Sequence, residues 1–151
     1  MLTYEENRTL FDILEHFHKA VRDQYCRLAA KATDRRSQML LEYLCDQQSR
    51  AVEAWQRYRR EAPRQVGSRW YQYVPNEPKL RVEPVPEDRE LAIDEVASLA
   101  LTYSDRLQAF FGKLAEKASD EDAGEVYRGL LEQERSERDK LLLTADELKK
   151  L

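Results

Sequence analysis

Two stretches of the sequence, residues 28–34 (LAAKATD) and 114–120 (LAEKASD), are nearly the same heptapeptide and lie 86 residues apart. The same offset, applied without a gap, aligns two more pairs of apolar residues: Tyr25 with Phe111 and Leu44 with Leu130. An internal repeat constrains the architecture before any single residue is considered. The chain is therefore predicted to be a duplicated helical hairpin, so that four helices form one all-α bundle.

The composition fits a single helical domain. The chain has 151 residues, of which 42% are hydrophobic and 36% charged, with both signs interspersed as on the outer faces of amphipathic helices. The net charge of −4 argues against a nucleic-acid partner, because nucleic-acid-binding proteins carry a basic surface. No apolar run approaches the roughly 18 residues that span a membrane, and the N-terminus lacks a signal-peptide pattern. We expect a soluble cytoplasmic protein that binds neither nucleic acid nor membrane.

Apolar residues that recur three and four positions apart predict four long helices, at about 4–32, 34–61, 88–118 and 120–144. The domain accordingly has three parts: a helical hairpin over 4–61, a crossover over 62–88 and a second helical hairpin over 89–144. The inward stripes of these helices are interrupted by polar residues, namely His18, Gln48, Ser104, Glu134 and Glu137. Buried polar groups need partners, so these side chains are the candidate functional residues.

The segment 62–88 differs from the rest of the chain. It contains all five prolines and Gly67, so it is not helical throughout. So long a connection is uncommon in a compact domain, and it can carry the chain from one end of a bundle to the other. The second and third helices would then run parallel. Trp70, Tyr71 and Tyr73 in this segment are predicted either to form a lid over the helices or to contact a second copy or another partner, and the lid is favoured.

The pattern in each half resembles the ferritin-like superfamily, and more closely its rubrerythrin-type branch. That family duplicates a hairpin that reads Glu-x6-Tyr-x3-Ala on one helix and Glu-x2-His on the next. Tyr25 and Ala29 occupy the aromatic and alanine places of the first copy, and Phe111 and Ala115 those of the second. The resemblance implies a four-helix bundle of two hairpins joined by a long crossover, with a di-iron site inside.

The six positions at which that family carries its metal ligands fall here on His18, Gln48, Ala51, Ser104, Glu134 and Glu137. Only Glu134 retains the residue type that the family has at its position. A di-iron site needs bridging carboxylates to hold two cations close together, and one matched carboxylate with one displaced Glu does not supply them. The resemblance thus implies a degenerate di-iron site.

Three interpretations of the polar residues remain open. In the first, they form a vestigial hydrogen-bonded layer, in which His18 supplies a positive charge and Arg50 or Arg138 turns towards the carboxylates. In the second, His18, Glu134 and Glu137 bind one Fe, Mn or Zn ion, because one imidazole and two carboxylates are a suitable ligand set. In the third, the helical register is shifted by one residue and some of these groups are simply exposed. A weaker alternative for the function is a small-ligand carrier that uses the space left by the lost metals.

Two further predictions concern packing. Cys26 lies seven residues before Thr33 and Cys45 lies twelve after it. On two antiparallel helices this difference offsets the cysteines by about 7 Å along the helix axes. That offset exceeds the reach of a disulfide, so both are predicted to be small buried thiols. Gly129, inside the fourth helix, is predicted to mark a close contact between helices.

These observations predict a ferritin-like protein that has lost its di-iron centre and acts as a binding or structural module. No cofactor is expected, and the partner is a second copy in a homodimer or another protein. The alternative is a mononuclear metal-binding protein or enzyme that uses His18, Glu134 and Glu137. The sequence has no glycine-rich phosphate loop, no nucleophile elbow and no cysteine-rich metal motif, so binding is favoured over catalysis.

Overall fold

The computed structural model describes residues 4–61, 80–118 and 121–151. In these three ranges the chain forms no strand and four helices: α1 Tyr4–Lys31, α2 Arg35–Glu61, α3 Ile93–Lys117 and α4 Glu121–Lys149. The predicted all-α bundle of four helices is confirmed. None of the described helices is both long and apolar enough to cross a membrane.

The helices pack as two hairpins, α1 against α2 and α3 against α4. The first hairpin turns through the non-helical residues 32–34. Asp34 ends this linker and caps α2, because its Oδ2 accepts hydrogen bonds from the Ser37 amide at 3.0 Å and the Ser37 hydroxyl at 2.8 Å. The residue types in the sequence predict Thr33 or Asp34 as this cap, and the structure shows that it is Asp34. The sequence also predicts a cap at Ser119 for α4, which lies outside the described residues.

The third helix begins later than predicted, at Ile93 rather than near residue 88. Glu90 contacts the first hairpin instead of joining the helix: its Oε1 accepts from the Thr33 amide at 2.6 Å and its Oε2 from the Thr33 hydroxyl at 2.9 Å. The first turn of α3 forms only beyond Glu90, where Glu95 Oε1 accepts a hydrogen bond from the Ala92 amide at 3.1 Å. The start of α3 therefore lies beside the 32–34 linker. The fourth helix continues past residue 144 to Lys149.

Residues 80–92 run over α1 and α3 without regular secondary structure. Gln24 Nε2 donates to the Glu83 carbonyl at 2.7 Å, and the Glu83 amide donates to the Tyr103 hydroxyl at 3.0 Å. That hydroxyl donates in turn to Gln24 Oε1. These bonds tie the end of the connection to both helices. The rest of it, including Gly67 and the predicted lid residues Trp70, Tyr71 and Tyr73, lies outside the described residues.

The predicted apolar stripes of the first and third helices form the core. Every predicted inward residue of α1 is buried, and so is every one of α3: Phe11, Leu14, His18, Val21, Tyr25 and Leu28, then Val96, Ala100, Ser104, Leu107, Phe111 and Leu114. The second helix behaves differently along its length. Its first half buries Leu40, Leu41 and Leu44, whereas beyond Leu44 only Val52 is buried among its described side chains.

The two cysteines form a disulfide between α1 and α2, with Cα atoms 5.2 Å apart. The prediction of two free thiols is wrong. The predicted axial offset between the two cysteines rested on a rise of about 1.5 Å for every residue, including those of the linker. Non-helical residues advance up to about 3.3 Å each. Because residues 32–34 are not helical, α2 begins farther beyond the end of α1, which brings Cys45 level with Cys26.

The prediction for Gly129 is also wrong. This residue is exposed, and a Cβ atom added there would meet no other atom within 4 Å. No close approach of a neighbouring helix requires the glycine.

Candidate functional site

A cavity of about 450 Å³ opens between the helices where the second half of α2 lacks buried side chains. Four of the predicted polar residues line one end of it: His18 from α1, Gln48 from α2, and Glu134 and Glu137 from α4. We call this end of the bundle the cavity half, and the end that contains the 32–34 linker the turn half. The polar residues lie at the boundary between the two halves.

His18 and Gln48 form one part of this boundary. His18 is 6% exposed, and its Nδ1 lies 2.7 Å from Gln48 Oε1. An amide oxygen can only accept, so Nδ1 donates the proton and Nε2 carries the lone pair. Burial lowers the pKa of His18 further than the bond to Gln48 raises it, so the imidazole is neutral at neutral pH. The expected positive charge on His18 is therefore wrong.

Glu134 is the carboxyl group most affected by its surroundings. Burial raises its pKa to about 7, a hydrogen bond from the Ser104 hydroxyl acts in the opposite direction, and the charge of nearby Glu137 raises it further. In the part of the chain that the structure describes, no Lys or Arg side chain lies within ion-pair distance of Glu134. Glu134 also faces Tyr25, whose pKa is raised above its usual value, mainly by burial.

Glu137 has partners of its own. Gln47 Nε2 donates to its Oε2 at 2.7 Å, and Lys140 Nζ lies 3.7 Å from its Oε1. Arg138 pairs with Asp105 at 3.3 Å rather than with either carboxylate of the layer. Arg50 borders the cavity, but its side chain is exposed. Apart from the Lys140 contact, the described contacts of the polar layer are thus made by amides and a hydroxyl.

The rest of the cavity wall is mainly apolar, with aliphatic and aromatic side chains beside Arg50 and Gln133. Trp55 and Tyr58 line it from α2, with ring centroids 6.0 Å apart, and both rings also contact Phe11 of α1, at 6.0 and 5.5 Å. Tyr127 lines it from α4. Burial raises the pKa of Tyr58 to about 12, so its phenol stays protonated. The cavity therefore has a polar end and an aromatic end.

A second, much smaller space lies behind the polar layer. Its volume is about 20 Å³, enough for a single water molecule. Ser104 borders this space, and four residues border both spaces: Gln47, Gln48, Glu134 and Glu137. The structure thus brings all the predicted polar residues together, with Ser104 on the far side of the wall from the large cavity.

The arrangement does not fit the ligand set of a di-iron centre. In this chain the family's six ligand positions carry one imidazole, one amide, one methyl, one hydroxyl and two carboxylates. The imidazole and one of the carboxylates are hydrogen-bonded to glutamine side chains. Within residues 4–61, 80–118 and 121–151, no group of three or more His, Cys, Asp and Glu side chains could hold a metal ion. No reaction step is therefore derived through a metal.

Some cavity residues were not predicted from the sequence. Gln47, which holds Glu137, lies one position off the apolar stripe of α2 and was overlooked for that reason. Val126 and Ala54 also line the cavity. A usable signal was present in α2, where the large residues of its first half give way to Ala51 and Ala54.

No protein-family model, no curated protein and no solved structure matches this chain. The proposed relation to the ferritin-like family therefore has to rest on the residues and contacts of this chain alone.

Proposed function

We propose that this protein is a ligand-binding helical bundle of ferritin-like descent, in which the former metal positions now form one wall of a small-molecule cavity. The observation that carries the proposal is the cavity of about 450 Å³, with a hydrogen-bonded polar layer at one end and aromatic side chains at the other. Pockets of roughly 300–1,000 Å³ with a few placed polar groups are typical of small-molecule sites.

The ferritin-like relation is supported by the direction of the helices. Because Glu90 contacts Thr33, the chain enters α3 at the same end of the bundle as the first hairpin turn. The second helix ends at the opposite end, which favours a connection that crosses the length of the bundle before α3. In our proposal, α2 and α3 run parallel and residues 62–88 make the crossover, as in ferritin-like bundles.

A binding role is favoured over catalysis because the polar residues are occupied with one another. His18 Nδ1 and Glu137 Oε2 each engage a glutamine amide, which leaves Glu134 as the carboxyl group of the layer without an ion-pair partner among the described residues. The alternative function, a single Fe, Mn or Zn ion on His18, Glu134 and Glu137, would require both glutamine contacts to be exchanged for metal bonds.

Elemental analysis of the purified chain tests this alternative. About one equivalent of metal that is lost in Glu134→Ala and kept in Glu132→Ala would favour the mononuclear site, because Glu132 is exposed on the same helix and does not line the cavity. Protein that contains no metal after growth with added Fe, Mn and Zn would overturn the alternative.

We propose a homodimer, whereas the cytoplasmic location expected from the sequence is disfavoured by the Cys26–Cys45 disulfide. Leu142 and Leu143 are 40% and 64% exposed near the end of α4, which makes this surface the first to test for self-association. Light scattering of the native chain and of a Leu142→Lys, Leu143→Lys variant would detect a dimer that depends on it. The disulfide argues against a permanently reducing compartment, since such bonds persist mainly in oxidising ones.

The binding proposal is tested with decanol, a neutral amphiphile, titrated calorimetrically into the full-length protein. We expect one equivalent to bind, and we expect Ala51→Phe to abolish binding because the new ring would occupy the cavity. Ala30→Phe is the matched control, since Ala30 is exposed on α1 and does not line the cavity. Failure of decanol to bind, or equal binding to Ala51→Phe, would contradict the proposal.

A further inference from the structure

We infer that the cavity selects a primary amine with an unbranched apolar tail, whose ammonium group lies at Glu134 and His18 and whose tail lies along Trp55 and Tyr127. The inference rests on the proposed function, because it names the class of molecule that the cavity would hold. It is carried by the hydrogen-bonding character of the polar end, by its charges and by the length of the cavity.

The polar end presents acceptors. The bond from His18 Nδ1 to Gln48 leaves Nε2 as the accepting nitrogen of that ring. Glu134 adds a carboxyl group, and within the described ranges the ion-pair contact of Glu137 Oε1 is a distant one, to Lys140 at 3.7 Å. A primary ammonium group carries three donors and no acceptor, which complements this set. A carboxylate ligand would place oxygen acceptors against the same groups.

The charges around Glu134 favour a cation. Burial keeps His18 neutral, and Tyr25 is also buried and neutral. Arg138 borders the small space beside Glu134 but pairs through Nη1 with Asp105, and Arg50 is exposed at the rim, where solvent screens its charge. A carboxylate that is withdrawn from water and lacks a cationic partner binds an incoming ammonium group more strongly than a solvated one does.

The length of the cavity sets the size of the tail. Gln48 and Trp55 on α2 both line it and are seven residues apart, as are Tyr127 and Glu134 on α4. Seven residues of helix correspond to about 10 Å, a length that roughly eight to ten methylene groups span. The aromatic group of Phe11, Trp55 and Tyr58 lies at the far end and would contact the end of the tail.

The experiment compares three probes of equal length that differ in their head group: decylamine, decanol and decanoate. Each is titrated calorimetrically into the disulfide-bonded, full-length protein at about pH 8, where an alkylamine is still cationic. We expect decylamine to bind about tenfold or more tightly than decanol, as for one hydrogen-bonded charge pair, and decanoate to bind most weakly. Equal or weaker binding of decylamine than of decanol would overturn the inference.

Two matched variants separate a specific ion pair from general attraction to an acidic protein. Glu134→Gln should weaken decylamine binding about tenfold more than it weakens decanol binding, because the amide keeps the shape and removes the charge. Glu132→Gln removes the same charge from an exposed site outside the cavity and should change neither. An equal loss of decylamine binding in both variants would overturn the inference.

The outcomes distinguish this inference from the proposed function. If none of the three probes binds, or if Ala51→Phe binds all of them like the native chain, the proposed function and the inference both fail. If decanol binds in the cavity without a preference for decylamine, the proposed function stands and the inference fails. Circular dichroism of each variant confirms that a lost affinity does not reflect a lost fold.

Discussion

The turn half and the cavity half are built from the same four helices, yet they are packed differently. In the turn half, Leu40, Leu41 and Val96 are at most 1% exposed, and the Cys26–Cys45 disulfide joins α1 to α2. In the cavity half, the side chains of α2 that face inward are small or only partly buried, and about 450 Å³ lies between the helices. One half is therefore organised for stability, and we propose that the other is organised for binding.

The difference arises mainly in α2. The buried stripes of α1 and α3 continue through both halves. On α2, the leucines of the first half are followed by Gln47, Gln48 and Ala51, which cannot fill the same volume. A change of side-chain size along a single helix is thus sufficient to convert a packed core into a cavity while the backbone continues unchanged.

The largest effect is expected from a pair of leucines related by the internal repeat. Leu44 is 1% exposed, whereas its counterpart Leu130 borders the cavity and is only partly buried. We predict that Leu44→Ala lowers the free energy of unfolding by about 3 kcal/mol and Leu130→Ala by about 1 kcal/mol. Urea unfolding of both variants measures the difference. Equal losses would show that the two halves are packed equally well.

Loss of the disulfide should come next in size. The bond closes a loop between residues 19 positions apart, for which chain entropy gives a stabilisation of about 3 kcal/mol. A Cys26→Ala, Cys45→Ala variant should unfold at a correspondingly lower urea concentration, yet bind decanol like the native chain, because the bond lies in the turn half. A variant with native stability, or one that loses binding, would contradict this separation of roles.

The pH dependence of stability should be governed in part by Glu134. Its pKa in the folded protein is about 7, above the 4.5 of an unperturbed glutamate, so the folded state retains a proton that the unfolded state loses. As pH rises from about 4.5 to 7, the free energy of unfolding should therefore fall, by an amount on the order of 2–3 kcal/mol. Below that window both states are protonated, and above it both are ionised.

Glu134→Gln should remove this fall, and Glu132→Gln should keep it, since Glu132 is exposed on the same helix. His18 acts in the opposite direction, because its lowered pKa makes stability rise as pH increases towards 6.5. The quantity to compare at each pH is therefore the difference in the free energy of unfolding between the native protein and the variant. The contribution of His18 cancels in this difference. A difference that does not change between about pH 5 and 8 would contradict the burial of Glu134.

Enlarging an alanine should have opposite consequences in the two halves. Ala145 is 2% exposed in the turn half, so Ala145→Leu should overpack that core and cost about 1–3 kcal/mol. Ala51 lines the cavity, so Ala51→Leu should be neutral or stabilise by up to about 1 kcal/mol while weakening decanol binding. Thermal unfolding of the two variants compares them. A destabilised Ala51→Leu would contradict an open cavity beside α2.

Much of the fold was predictable because helical periodicity and the repeat are local signals. The spacing of Phe11, Leu14 and Val21 marked the buried face of α1. Residue type alone narrowed the cap of α2 to Thr33 or Asp34, and the structure shows that it is Asp34. The start of α3 was misplaced because Glu90 bonds to Thr33, 57 positions away, and no local pattern shows such a contact. The disulfide was missed for a related reason, since helix register depends on how far a non-helical linker reaches.

The sequence predicted which polar residues belong to the candidate site, but not their protonation states. His18, Gln48 and Glu134 were identified as polar residues on apolar stripes, and all three line the cavity. The neutral state of His18 and the raised pKa of Glu134 depend on burial by other helices, which the sequence of one helix does not contain. The cavity itself is a volume that no residue fills, so it follows only from the assembled bundle.

The measurement that tests the proposed binding role most directly is the detection of nuclear Overhauser effects between bound decanol and the protein. We predict contacts from the decanol tail to the Trp55 indole and the Leu14 methyl groups, because both residues line the cavity. Contacts confined to Leu142 and Leu143, the exposed leucines near the end of α4, would show that decanol binds the surface. That result would contradict a ligand-binding interior.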